Sequence, residues 1–379
     1  MLQITEILSE KKLDRRNDGL LELLDSVTVD DVRSALRQSP GEYSLNRMLT
    51  LISPAAQECL EDMARQAASL TVQRFGRTIQ LYAPLYVSNY CCNSCVYCGF
   101  NTSSKFKRTR LTIDQALADA DIIASEGFRH ILLVSGEDPK FVTCDYLNEL
   151  AEKLRSKFSS VSIEIQPLST EDYSKVFQGG IDEVAVYQET YDRDVYAKYH
   201  KAGPKRDYDF RLQTHDRTGA AGMRRLGIGF LMGLNDWRLE TLAMSEHAAH
   251  LMKNYWQAQI SFSFPRMRPA LNVVEQYKHL VSDRDLVQLM LALRLCFADA
   301  GIILSTRESA AFRDNLVKIC VTKISAGSKT NPGGYSGEDD STEQFEINDD
   351  RTPAQIAEML KTAGKECVWK DWDAGFVNV

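Results

Sequence analysis

Four cysteines lie within eight positions of the stretch VSNYCCNSCVYCGF, residues 87–100. Cys91, Cys95 and Cys98 form C-x3-C-x2-C, and a start at Cys92 gives C-x2-C-x2-C instead. Thiolates at either spacing converge from one loop on a metal ion or an iron–sulfur cluster. No other short-spaced cysteine or histidine motif supplies a fourth ligand, which favours a [4Fe–4S] cluster with one open iron. The alternatives are a zinc site that a distant residue completes and a group of buried free thiols.

The composition limits the classes of protein to which the chain belongs. It has 379 residues, of which 44% are hydrophobic and 26% charged, as in folded globular proteins. A net charge of −7 without a basic stripe argues against nucleic-acid binding. The apolar runs are too short to span a bilayer, and the first residues lack the pattern of a secretory signal. Nine cysteines, five of them isolated, indicate reduced thiols and a cytoplasmic protein.

Short β-rich runs alternate with longer amphipathic stretches along most of the chain. This alternation predicts βαβ units around a parallel sheet, and eight units fit a (β/α)8 TIM-type barrel of the α/β class. A doubly wound open sheet is the alternative that periodicity leaves open. The predicted strands are 81–89, 130–136, 161–167, 183–189, 226–233, 258–264, 301–307 and 317–323.

The barrel pattern does not extend over the whole chain. Residues 1–75 carry helical patterns and predict an N-terminal helical extension, and the barrel is expected over 76–326. Residues 327–379 begin with a stretch rich in Gly, Asp and Ser, and we interpret them as a C-terminal capping segment. In a barrel of this class, residues that follow the strand C-termini surround the reaction site. The cysteines follow the first predicted strand and therefore belong to that face.

The cysteine segment resembles a known superfamily. YCCNSCVYCGF, residues 90–100, is similar to the C-x3-C-x-Φ-C motif of radical S-adenosylmethionine (SAM) enzymes, with Tyr97 at the aromatic position. VSGE at 134–137 resembles the glycine-rich motif that follows their second strand. The resemblance covers roughly residues 75–375 and leaves Cys92 as an extra thiol beside the motif.

Further segments resemble the aromatic amino acid lyase branch of these enzymes. They are VYQETY at 186–191, FRLQTHDR at 210–217, GIGFLMGL at 227–234, SFPRMRP at 263–269, LSTRES at 304–309 and VWKDWD at 368–373. SKTNPGGY, EQFEINDDRTP and VWKDWD look most like the tyrosine lyases of the thiamine pathway. The hydrogenase-maturation lyases carry a second cluster on C-terminal cysteines, whereas the only late cysteine here is Cys367.

The resemblance implies an activity and its cofactors. A [4Fe–4S] cluster on Cys91, Cys95 and Cys98 would bind SAM, whose reductive cleavage starts a radical reaction. In the thiamine branch, the Cα–Cβ bond of L-tyrosine breaks and gives 2-iminoacetate (dehydroglycine) and p-cresol. The alternatives are a tryptophan lyase that makes an indole acid and, from another class, a zinc-binding scaffold without redox chemistry.

Roles for other residues follow from the same resemblance. Tyr97 is expected near the adenine of SAM, and Gly136 with Glu137 at its methionine part. Glu189 is expected at the ribose or amino group of SAM, and Arg211 at its carboxylate, although a surface ion pair is an equal alternative for Arg211.

Two residues at the end of the seventh predicted strand are candidates for substrate binding. Arg307 offers a planar two-point fork to the substrate carboxylate, and Ser305 would lie on the same face of the strand. The expected partners are L-tyrosine, an external electron donor and a thiazole synthase that receives the unstable imine. Neither a nucleic acid nor a membrane is expected. The sequence leaves open the oligomeric state, the identity of the donor and the residue that moves the substrate's protons.

Overall fold

The computed structural model describes residues 2–267, 277–337 and 343–370. Eight parallel strands pair in the order β2-β3-β4-β5-β6-β7-β8-β1, and β1 also pairs with β2, which closes the sheet into a barrel. This confirms the predicted (β/α)8 fold. The strands are β1 Thr78–Ser88, β2 His130–Ser135, β3 Ser160–Glu164, β4 Glu183–Ala185, β5 Arg225–Gly229, β6 Gln259–Ser263, β7 Gly301–Leu304 and β8 Lys323–Ser325.

Helices precede the barrel and cover its outer face. Those before β1 are α1 Ile4–Glu10, α2 Asp18–Ser26, α3 Val29–Leu36, α4 Leu45–Leu51 and α5 Leu60–Phe75. Those after β1 are α6 Ile113–Ser125, α7 Cys144–Leu154, α8 Thr170–Gly179, α9 Arg193–Tyr199, α10 Tyr208–Leu212, α11 Thr214–Ala220, α12 Trp237–Asn254, α13 Asp283–Cys296, α14 Ala310–Leu316 and α15 Pro353–Thr362. Short 3-10 helices lie at Pro54–Cys59 and Pro204–Arg206.

Local sequence signals explain where many of these elements begin. Thr112, Ser282 and Thr352 each form a capping box with the residue three positions later, which satisfies backbone N–H groups that lack a partner in the first turn. Strands β3, β4 and β5 are buried along most of their length because both faces are covered, by the lumen on one side and by helices on the other. These strands direct their C-terminal loops to one end of the barrel.

The eighth strand lies later than predicted. The sequence places it at 317–323, but β8 begins only at Lys323, and residues 317–320 form a turn that continues from α14. The buried residues Val317, Cys320 and Val321 have the spacing of one helix face, which the sequence interpretation read as a β-rich run.

The predicted capping segment contains a strand that the sequence did not reveal. β9, Glu366–Val368, pairs in parallel with Thr78–Gln80, before the part of β1 that pairs with β2. Parts of the segments 263–269 and 368–373 lie outside the described residues. One continuous hydrophobic core runs from Ile4 to Leu360, across both predicted boundaries, so the division at 75 and 326 stays a prediction. Within the described residues, no helix is long and apolar enough to cross a membrane.

Candidate active site

The cysteine loop follows β1 at the C-terminal end of the barrel. Its backbone pairs with the segment after α9: Val96 N–H donates to the Tyr199 carbonyl at 3.1 Å, and Ser94 N–H donates to the Ala202 carbonyl at 3.0 Å. Arg108 fixes the loop from the other side, because its guanidinium donates to backbone carbonyls along it. The acceptors are Asn89, Phe100, Asn101 and Ser104, at 2.7, 2.9, 2.6 and 3.4 Å.

The three motif thiols surround one region of this loop. Cys91 and Cys98 pack on a cluster around Tyr86, whereas Cys95 packs with Cys98 on a second cluster, so Cys98 lies between the other two. Cys92 is exposed, and all nine cysteines are free. Burial raises the pKa of Cys95 to about 12, although Lys205 lowers it, and burial followed by Cys91 raises the pKa of Cys98.

The donor set of this loop consists of the thiols of Cys91, Cys95 and Cys98. Across the described part of the chain, no three Cys, His, Asp or Glu side chains are grouped closely enough to hold one metal ion. The thiolates of a [4Fe–4S] cluster bind separate irons and are spaced more widely than the ligands of one ion. Three thiols from one loop, without a fourth side chain, therefore suit a cluster that keeps one iron open.

The loop after β2 approaches the cysteine loop at Gly136. A Cβ atom on this residue would lie 2.2 Å from the Tyr90 carbonyl oxygen, so only glycine fits here. The next residue, Glu137, accepts a hydrogen bond from Asn93 Nδ2 at 2.7 Å, and its carbonyl accepts one from Cys92 N–H at 2.9 Å. These contacts join the cysteine loop to the β2 loop, as the resemblance to a SAM site requires.

A buried charge network continues from Glu137. Arg211 donates to Glu137 at 3.1 Å, to Glu189 at 3.3 Å and to the Tyr187 carbonyl at 2.8 Å. Lys205 donates to the same Glu189 oxygen at 2.8 Å. Burial raises the pKa of Glu189, but Lys205 and Arg211 outweigh burial, and the net pKa lies below its usual value. Arg211 is buried, which excludes the surface ion pair considered from the sequence.

Glu189 also has an uncommon backbone conformation. Its φ is +70°, a left-handed value that non-glycine residues rarely adopt. The strain is retained where the surrounding structure fixes the residue, which is frequent at functional sites. The conformation, together with two cationic partners, holds its carboxylate at one position beside the cysteine loop.

Tyr97 is oriented by a neutral histidine. Its hydroxyl lies 2.8 Å from His200 Nε2, and His200 Nδ1 lies 2.8 Å from the Tyr196 carbonyl. Since a carbonyl only accepts, Nδ1 carries the proton and Nε2 accepts from Tyr97. Burial, followed by Lys205, lowers the pKa of His200 to about 3, so the ring is neutral at physiological pH.

A cavity of about 170 Å³ connects the cysteine loop with the strand ends on the other side of the barrel. Tyr97 and Cys98 line one part of it, and Ser305 and Arg307 line another. Both of the latter residues follow the end of β7 at Leu304, so they share the cavity as loop residues and not through strand alternation. The Arg307 guanidinium lies over the Phe345 ring, 3.5 Å from its centroid.

Arg307 is available to a ligand. Within the described residues, no carboxylate lies within the 4.0 Å of an ion pair with its guanidinium, and its recorded hydrogen bonds involve only its backbone N–H and carbonyl. Burial lowers the pKa of Arg307, but the group remains a cation near neutral pH.

Several residues that build the site were not found from the sequence. They are Asn93, Arg108, Glu164, His200 and Lys205. Asn93 carried a signal, since it lies between the cysteines of the motif. Lys205 and His200 reach the cysteine loop through tertiary contacts that no spacing reveals, and Glu164 ends the alternating strand SVSIE, in which no motif marks it.

Comparisons with known proteins agree with this site. Residues 85–245 match the radical SAM superfamily, and residues 263–366 match the biotin and thiamin synthesis associated domain. A crystal structure of HydG, a maturase of the [FeFe]-hydrogenase, superposes with a TM-score of 0.88 at 32% identity, covering 96% of this chain and 80% of that chain. The chain is therefore a radical SAM enzyme, a class that uses a [4Fe–4S] cluster and SAM.

Curated relatives define the family within this class. The chain is 43% identical over 348 residues to the 2-iminoacetate synthase of Escherichia coli (strain K12), and the match covers 92% of both chains. The 2-iminoacetate synthase of Salmonella typhimurium (strain LT2) matches with the same identity and coverage. The chain belongs to the 2-iminoacetate synthase family.

Proposed function

We propose that this protein cleaves the Cα–Cβ bond of L-tyrosine and releases 2-iminoacetate and p-cresol for the formation of the thiamine thiazole. Similarity to curated 2-iminoacetate synthases over 92% of the chain supports the product. The observation that supports this chemistry in the structure is the shared cavity, because it contains both cluster-loop residues and a cation available to an amino acid carboxylate.

Different residues of the chain would bind the cluster, SAM and the substrate. Cys91, Cys95 and Cys98 hold the cluster, and Tyr97, Gly136, Glu137, Glu189 and Arg211 surround SAM. When bound, the cluster and SAM supply the one-electron chemistry that removes a hydrogen atom from the substrate amino group. Arg307 binds the substrate carboxylate in two-point fashion, and Ser305 lies beside it in the cavity wall. The enclosed cavity keeps water away from the reacting atoms.

The substrate assignment is tested by side-by-side assays. The protein is reconstituted anaerobically with iron and sulfide, supplied with SAM and a reductant, and given tyrosine or tryptophan. We expect 5′-deoxyadenosine and p-cresol from tyrosine. Turnover of tryptophan alone would keep the cofactor chemistry and replace the substrate, and an intact cluster that cleaves SAM with neither amino acid would remove the lyase proposal.

The partners belong to the same proposal. An imine that hydrolyses in water favours direct delivery, so we expect a complex with the thiazole synthase and an external protein as electron donor, in the cytoplasm. Nine free cysteines support the reducing compartment. A pull-down of purified thiazole synthase tests the complex. Full thiazole formation without any association would contradict it.

A further inference from the structure

Glu164 is a carboxylate in the wall of the cavity that no role above uses. It is the last residue of β3, level with Val134 of β2, which is level with Tyr86 of β1. All three side chains line the cavity. Glu164 is half-buried by its neighbours, and its accessible part belongs to the cavity wall.

Glu164 and Arg307 lie on opposite sides of the barrel. In the closed strand order, three strands separate β3 from β7 in either direction. Arg307 follows the end of β7 by three residues, and Glu164 ends β3. A ligand that contacts both residues therefore has to span the cavity.

Glu164 is also the cavity carboxylate without an ion-pair partner among the described residues, and its side-chain hydrogen bond is with Tyr187. Of the two carboxylates among the described cavity residues, Glu189 is occupied by Lys205 and Arg211. No cation of the described chain lies within the 4.0 Å of an ion pair with Glu164. A carboxylate oxygen is a strong acceptor for an O–H donor.

The groups that face Glu164 set its charge. Burial, followed by Glu189, raises the pKa of Glu164 to about 7, although Arg307, a side-chain hydrogen bond with Tyr187, and Lys205 lower it. Tyr82 and Tyr86 also interact with it electrostatically. Near neutral pH, Glu164 therefore populates both its protonated and its ionised form.

We infer that Glu164 accepts the hydrogen bond of the substrate's phenolic hydroxyl and makes the cavity select tyrosine over phenylalanine. This inference rests on the proposed tyrosine cleavage and adds the residue that recognises the far end of the substrate. A cavity with a polar group placed for a substrate hydroxyl rejects the analogue that lacks it, because the polar group is then left unpaired.

The experiment measures affinity without turnover. Cluster-loaded protein with SAM and no reductant is titrated with tyrosine and with phenylalanine in an anaerobic calorimeter. Glu164→Gln should reduce the tyrosine-to-phenylalanine affinity ratio about 10- to 100-fold, the range of a hydrogen bond to a charged group. Arg307→Ala should weaken both ligands and leave the ratio unchanged, and Glu22→Gln on the exposed face of α2 is the matched control.

A pH series adds a second readout. The tyrosine affinity of the wild type should rise with pH through about 7 as Glu164 ionises, phenylalanine affinity should not, and Glu164→Gln should lose the dependence. Absorption near 400 nm verifies the cluster in each variant. Glu164→Asp, which keeps the charge on a shorter side chain, should retain part of the selectivity.

The outcomes separate this inference from the proposed function. If the wild type makes p-cresol but Glu164→Gln keeps the full affinity ratio, the phenol assignment is wrong and the lyase function remains. If the wild type binds tyrosine and phenylalanine alike, the inference is also overturned. If the wild type prefers tyrosine through Glu164 yet makes no p-cresol, the cleavage reaction fails while the recognition of the phenol stands.

Discussion

Two arginines of the barrel, Arg294 and Arg307, have different environments. Arg294 is a structural residue, because its guanidinium donates to the carbonyls of Ala298, Ala300 and Cys320 at 2.8 to 3.1 Å. Arg307 is half-buried, and its guanidinium stacks on Phe345 and faces the cavity. Folding alone does not explain a half-buried cation that has no ion-pair partner among the described residues, since desolvation of a charge is costly. A ligand carboxylate explains it.

Arg307→Ala should weaken amino acid binding about 10- to 100-fold, because a charge-assisted hydrogen-bonded contact is lost. The cluster spectrum and the affinity for SAM should stay unchanged. Isothermal titration with tyrosine measures the effect, and Arg65→Ala on the exposed face of α5 is the control. An unaltered tyrosine affinity would rule out Arg307 as the carboxylate clamp.

At the same scale, the sequence predicts residues whose chemistry depends on close spacing. The motif cysteines, Gly136 and Arg307 are all found from short segments. Lys205 is not, because it reaches Glu189 from a segment 16 residues away along the chain, and its neighbours carry no motif. Glu164 is missed because only the closed barrel places the end of β3 opposite that of β7.

The cysteine loop has no regular secondary structure, and the side chain of Arg108 is one of the groups that hold it in place. Arg108 donates to four backbone carbonyls, and a planar guanidinium with five donors suits this geometry. The Asn101 carbonyl also accepts from Ser104 N–H at 2.9 Å. The sequence predicted that the loop carries the ligands. It gave no indication of what holds the loop, since a basic residue ten positions after Cys98 is ordinary in any surface turn.

Arg108→Ala should release this loop. Losing several hydrogen bonds of about 1 kcal/mol each leaves the thiols poorly positioned, so bound iron per chain should fall by half or more while the barrel stays folded. Iron analysis and far-UV circular dichroism after reconstitution measure the two effects. Arg155→Ala, which removes a donor to one carbonyl on an exposed turn, should leave iron content unchanged. Full iron loading of Arg108→Ala would show that the loop is held by other contacts.

The two ends of the barrel contain different groups. At the C-terminal end the strands surround the cavity, and at the N-terminal end a buried ion pair crosses the lumen. Glu183 begins β4 and Lys323 begins β8, and three strands lie between β4 and β8 in either direction. Lys323 Nζ lies 2.9 and 3.1 Å from the two Glu183 oxygens. The alternating pattern predicted the barrel but placed β8 too early, at 317–323. With the strand at 317–323, Lys323 would be its last residue and would lie at the opposite end of the barrel from Glu183. The sequence therefore did not predict this ion pair.

The Glu183–Lys323 pair gives the barrel a defined acid sensitivity. Burial raises the pKa of Glu183, but Lys323 and Arg225 outweigh burial and bring it to about 2, below the 4.5 of an unperturbed glutamate. Because the folded pKa is the lower one, the stabilisation is complete above about pH 4.5 and is lost as the pH falls toward 2. Glu183→Gln leaves Lys323 buried without its charge partner and should cost about 3–5 kcal/mol at pH 7.

Urea unfolding of the cluster-free protein measures this effect, since the acid lability of an iron–sulfur cluster then plays no part. The difference in unfolding free energy between wild type and Glu183→Gln should be constant from pH 7 to 5 and shrink between pH 4.5 and 2. Glu171→Gln, on the exposed surface of α8, should show a small difference throughout. If the difference in unfolding free energy between wild type and Glu183→Gln were as large at pH 2 as at pH 7, the lost stability would come from packing. The ion pair between the two sides of the barrel would then not be its cause.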